Sequence, residues 1–210
     1  MKRLVSRKQG LERIGAPLLL AAVALGTGVS CELAQADPVH EAQVAALGGE
    51  RDGIPQGPFH RAGQPCNVCH GGQGPANTTF SFAGTVFAGQ APSTTSGGSI
   101  QIPSMGPAVT GVDQAGVGLI DSTGQTVLVI TNCVGNFFVS PNQLNPVFPV
   151  RVAVSKGKQA TVMNSHISRE GSCAECHGRL GGPQNAGQVF LTSKAVPTCP
   201  DNIPPTTPLQ

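Results

Sequence analysis

The stretch Val117-Gly-Leu-Ile-Asp121-Ser-Thr-Gly124-Gln-Thr126-Val-Leu-Val-Ile-Thr131 decides the fold. Two short apolar runs, 117–121 and 126–131, flank Asp121-Ser122-Thr123-Gly124. Aspartate opens a turn and glycine supplies a positive φ, so the stretch predicts a β-hairpin. Working outward, 79–87, 99–102, 136–139, 147–154 and 159–163 read as further strands, the last two joined by Lys156-Gly157-Lys158. No helical periodicity competes between them. The chain holds 28 Gly and 18 Pro, lacks Tyr and Trp, and is only 11% charged, which suits short strands and many turns. Six or seven such runs predict a mainly β fold, a β-sandwich over 78–165.

Outside that region stand Cys66-Asn67-Val68-Cys69-His70 and Cys173-Ala174-Glu175-Cys176-His177, both C-x-x-C-H. This is the c-type haem attachment pattern. Two thiols add to the two vinyl groups of haem, the two intervening residues hold them on one turn, and the adjoining histidine faces the iron. Cys66, Cys69, Cys173 and Cys176 are therefore expected to bind two haem c groups covalently, with His70 and His177 as proximal iron ligands. Zinc held by four thiolates is the first alternative, but the pairs lie about a hundred residues apart and zinc needs no histidine after each. A redox dithiol is the second, and no thioredoxin-like βαβ pattern surrounds either copy.

The surroundings repeat. His60 precedes the first motif by five intervening residues and His166 the second by six, and a Gly/Pro turn follows each. His60 and His166 are thus the expected distal ligands. Met163, three residues before His166, and Met105 are the competitors, since His–Met ligation would raise the potential. His40 is expected to be solvated. Arg61, Arg169 and Arg179 read either as partners for haem propionates or as ordinary solvated arginines.

With their upstream histidines, the two blocks resemble small multihaem c-type cytochromes, over roughly thirty residues of the chain. The resemblance implies low-potential, bis-histidine electron transfer without substrate chemistry. Which iron each upstream histidine serves stays open, and the resemblance favours reciprocal ligation, His60 to the second haem and His166 to the first. Between the blocks, Gly84-Thr85-Val86, the Asp-x-x-Gly hairpin and Gly135-Asn136-Phe137 resemble immunoglobulin-like, carboxypeptidase-regulatory or transthyretin-like sandwiches. The expected architecture is therefore a β-sandwich flanked by two haem-binding segments with little regular structure, whose ends bring the haems together.

The N-terminus carries Lys2, Arg3, Arg7, Lys8 and Arg13 before an apolar run, Ala16 to Val29, too short to span a bilayer. Residues 1–30 read as an export signal. Gly28-Val29-Ser30-Cys31 resembles a bacterial lipobox, which makes Cys31 a candidate for acylation, with Glu32 leaning towards the outer membrane. Plain secretion with cleavage near Ala34 or Ala36 is the alternative. Without the signal, eight Lys and Arg face ten Asp and Glu, so no basic patch supports nucleic-acid binding.

Seven cysteines minus one for lipid and four for haem leave Cys133 and Cys199, which an oxidising compartment would pair as a disulfide. The expected order is a linker at 31–55, haem segments at 56–77 and 166–185 around the sandwich, and a C-terminal segment at 186–210 whose proline-rich tail after Cys199 reads as an extended or disordered end. The partners expected are redox proteins or other cytochromes, in the periplasm or at the outer membrane. A haem peroxidase or reductase, or a haem-based sensor or binding module, is the alternative function. A catalyst would need an open iron site that two spare histidines argue against.

Overall fold

The computed structural model describes residues 37–50, 52–89, 109–178, 186–191 and 198–207. The expected export signal, Cys31, Met105, Arg179 and the strand expected at 99–102 lie outside these residues. Among the described residues no helix is long and apolar enough to cross a membrane.

The chain is mainly β. Among the described residues, three short helices, α1 (Pro38–Ala46), α2 (Cys66–His70) and α3 (Cys173–Cys176), accompany ten strands. These are β1 (Phe82–Thr85), β2 (Phe87–Ala88), β3 (Val109–Thr110), β4 (Gly116–Ile120), β5 (Thr126–Ile130), β6 (Asn136–Val139), β7 (Arg151–Lys156), β8 (Gln159–Val162), β9 (Phe190–Leu191) and β10 (Thr206–Thr207).

The predicted hairpin is β4–β5, in register from Gly116 opposite Ile130 to Ile120 opposite Thr126. Asp121 builds its turn. One carboxylate oxygen accepts from the Thr123 N–H (2.9 Å), the Thr123 hydroxyl (2.7 Å) and the Gln125 N–H (2.9 Å). The other accepts from the Val147 N–H at 3.1 Å, which ties the turn to the segment leading into β7. Gly124 sits at φ +85°, as the turn requires. β7 and β8 complete one antiparallel sheet in the order β5-β4-β7-β8.

Alternation on β4 and β7 buries Val117, Leu119, Val152 and Val154. These join Phe82 of β1 and Phe137 and Val139 of β6 in one cluster, so the antiparallel β1–β6 pair covers the inner face of the sheet. The outer face exposes Ile120, Leu128, Ile130 and Val162. Two smaller ladders, parallel β2–β9 and antiparallel β3–β10, bring the C-terminal chain back to the core.

Three expectations are corrected. Residues 31–55 are not all linker, because Asp37 caps α1 by accepting from the Val39 N–H at 2.9 Å and Pro38 takes the first turn. The strand expected from Val147 begins only at Arg151, since Pro149 has no N–H for a ladder. The C-terminal segment is not a free extended end, because Ile203 is buried and β10 pairs with β3.

Cys133 and Cys199 lie at disulfide distance, Cα–Cα 5.3 Å across 66 residues of sequence. They sit in a second apolar cluster with Ala62, Val134 and Ile203, against which Phe59 packs. Replacing both cysteines by serine should lower stability by about 2–4 kcal/mol, read as an earlier urea midpoint under non-reducing conditions. An unchanged midpoint would show that the bond adds nothing.

The hydrogen bonds from Thr123 and then Val147 hold the Asp121 carboxyl below its ordinary 3.8. A lowered folded-state value stabilises above the unfolded value, and that stability is lost as pH falls through the folded one. Asp121→Asn should therefore lower the melting temperature at neutral pH. The gap to wild type should close as pH drops below 3.8.

Candidate functional site

Each C-x-x-C-H motif forms a single helical turn, α2 or α3 plus its histidine. Helical spacing puts the cysteines at i and i+3 and the histidine at i+4 on one face. The chain then folds back over each turn. The Phe80 N–H donates to the His70 carbonyl at 2.8 Å, and the Ala186 N–H donates to the Cys176 carbonyl at 2.7 Å.

The two histidines are held alike. His70 Nδ1 lies 2.7 Å from the Thr78 carbonyl, and His177 Nδ1 lies 2.9 Å from the Gly187 carbonyl. A backbone carbonyl on Nδ1 fixes the tautomer, with the proton there and the Nε2 lone pair available to a metal. That is the donor set an axially ligated haem iron needs, so the residues present fit two haem c groups.

Both motifs rest on β1. On one side the Gly63 N–H donates to the Thr85 hydroxyl at 2.8 Å, just ahead of the first motif. On the other, the Ala83 N–H donates to the Gly171 carbonyl at 3.0 Å, and Ala83 bridges Ser172, the residue before Cys173. Gly84 supplies the room, because a Cβ there would lie 2.7 Å from the Cys173 Cβ.

Burial pushes the Cys66 thiol up to about 11, with Cys69 adding to it. The Cys173 thiol is pushed up to about 12, again chiefly by burial, with the charges of Cys66 and then Cys176 adding. Cys66 is thus close enough to act on Cys173, although 107 positions separate them in the sequence. All four motif thiols are free, and among the described residues no three His, Cys, Asp or Glu converge as a metal group.

The upstream histidines do not repeat in space. The His60 ring lies 5.9 Å from His70, within its own motif, and its Nδ1 is turned to the Gly57 backbone. Phe80 stacks on His70 at 4.3 Å. His166 is exposed, with no hydrogen bond or ring contact among the described residues. Met163 is half-buried at the end of β8. Arg61 is engaged elsewhere, donating to the Gln64 side chain (2.8 Å) and the Gly48 carbonyl (2.9 Å) and pairing with Glu50 at 3.7 Å. Arg169 is exposed beside the second motif.

His40 is the residue the sequence reading misplaced. It is half-buried, and its Nε2 is buried without a hydrogen-bond partner. It lines a cavity of about 410 Å³ together with Asn67, Phe80 and Arg169 to Gly171. The signal was present in Asp37-Pro38, a helix start that places His40 in the first turn.

Comparison with protein families, curated proteins and solved structures finds no match to this chain.

The burial difference among the thiols has a direct readout. In haem-free protein, iodoacetamide should label the exposed Cys176 before Cys66 and Cys173. Labelling of the last two should accelerate only as pH approaches 11 to 12, where their thiolates form. Equal rates at all four positions by mass spectrometry would contradict the greater exposure of Cys176.

Proposed function

We propose that this chain is an exported dihaem c-type cytochrome that passes electrons outside the cytoplasm. The observation that carries the reading is the shared build of the two motifs, with paired cysteines on one turn and His70 and His177 each anchored through Nδ1 to a downstream carbonyl. Cys66 and Cys69 hold one haem, and Cys173 and Cys176 the other. The 5.9 Å approach of His60 to His70 favours these two imidazoles serving the same iron, rather than the reciprocal arrangement. When bound, haem supplies an iron that accepts or gives up one electron.

The remaining residues position the motifs. β1 touches both motif helices, and Cys173 packs partly buried against the core. Short separation between redox centres suits rapid exchange between them. The core that packs β1–β6 over the four-stranded sheet supports an immunoglobulin- or transthyretin-like sandwich whose role is to join two sequence-distant motifs. The basic then apolar N-terminus and the Cys133–Cys199 pair support an oxidising compartment, in the periplasm or at the outer membrane. A lipid on Cys31 would anchor the chain to the membrane, and its partners would be redox proteins or other cytochromes.

Expression in a host with haem-maturation machinery should give red protein with two haems per chain by pyridine haemochrome. Cys66→Ala/Cys69→Ala and Cys173→Ala/Cys176→Ala should each leave one. Colourless protein with four free thiols would overturn the proposal, and a predominantly high-spin ferric spectrum would favour a catalyst or gas sensor instead.

A further inference from the structure

We propose that the cavity of about 410 Å³ behind the first motif turn is a binding site for a small, neutral aromatic ring carrying hydroxyl groups. The site lies beside the residues expected to hold haem, not among them, and would exist in a chain without haem.

Helical spacing separates the two. Cys66, Cys69 and His70 share one face of α2, whereas Asn67 and the C-cap residue Gly71, spaced i and i+4, share another. Asn67 and Gly71 line the cavity, and Cys66, Cys69 and His70 do not. α1 brings His40 to the same wall. Asp37 caps that helix, and the turn leaving it is held where the Gln64 amide donates to the Leu47 carbonyl at 3.1 Å.

Two wall atoms set the polar chemistry. His40 Nε2 and Asn67 Oδ1 are both buried with no hydrogen-bond partner among the described residues. Three described side-chain atoms are in that state, and two of them belong to this one cavity wall. A buried polar atom left unpaired costs about 1–3 kcal/mol, so the pair points to a missing partner. The amide oxygen accepts, and a neutral imidazole accepts at Nε2 when its proton is on Nδ1. Hydroxyl groups supply the matching donors. Arg169 and Glu170, adjacent and exposed on the same wall, offset each other in charge, which suits a neutral ligand.

The rest of the wall is apolar. Phe80, Phe148 and Pro146 are half-buried there, surfaces against which an aromatic ring packs. Gly71 is exposed, so the mouth is open to solvent. Phe80 also stacks on His70 at 4.3 Å, so an occupant would touch the ring that packs against the first motif's histidine.

Equilibrium dialysis of the mature protein against resorcinol, and against its dimethyl ether, tests the site. Resorcinol should bind saturably at one per chain, and the ether, which has the ring without the donors, should bind at least about fivefold more weakly. His40→Ala and Asn67→Ala should each weaken resorcinol about fivefold, the change expected for one hydrogen bond. Asn67→Asp keeps an acceptor of the same length and should bind better than Asn67→Ala. Leu128→Ser, on the exposed outer face of the sheet, should bind as wild type. Absence of saturable binding, equal affinity for the ether, unchanged affinity in both alanine variants, or an equal loss in Leu128→Ser would overturn the proposal. Colourless protein that still binds resorcinol would sink the dihaem reading and leave this site standing.

Discussion

A buried hydrogen bond between Thr85 and Asn136 ties the scaffold to the first motif. The Thr85 hydroxyl donates to Asn136 Oδ1 at 2.8 Å and accepts from the Gly63 N–H. The Asn136 amide nitrogen in turn donates to the His60 carbonyl at 2.9 Å. Both side chains are buried, so each lost partner would leave a polar atom dry. The circuit joins β1, β6 and the chain entering the first motif, and the position of His60 follows from it. A network with every member satisfied is rigid and admits few alternatives.

The other edge of β1 works through backbone alone. Gly171 and Ser172 lie along Ala83 as a short parallel bridge, and α3 starts immediately afterwards. One strand thus carries two attachments of different chemistry, side-chain hydrogen bonds towards the first motif and backbone pairing towards the second. The four-stranded sheet stands behind it, and its buried valines and leucine fix where β1 can lie.

Local chemistry was legible in the sequence, and long-range placement was not. The hairpin at 117–131 could be read because Asp121 and Gly124 act within four residues of each other. The Cys133–Cys199 pair followed from counting thiols, with no geometry required. The C-x-x-C-H turns announce themselves by spacing. By contrast, the likeness of His60 and His166 in the sequence suggested equivalent roles, whereas one lies against its motif and the other is exposed. Their flanks explain the difference. Residues 57–64 are caught by Thr85, Asn132 and Asn136 from far along the chain, which a local pattern cannot foresee. The return of the C-terminal chain was hidden for the same reason, since β9 and β10 are two residues each and earn their order from β2 and β3.

Where β1 meets the second motif, glycines stand at the closest approaches, Gly84 on the strand and Gly171 before the motif. A Cβ on Gly171 would lie 1.8 Å from the Ser81 carbonyl oxygen, and one on Gly84 would meet both Cys173 and the Phe137 ring. Mutational tolerance is therefore inverted relative to size. Leu128 and Val162 lie with most of their surface in solvent, where shortening removes little packing, whereas a single methyl would strike main chain at Gly171 and the Cys173 Cβ at Gly84.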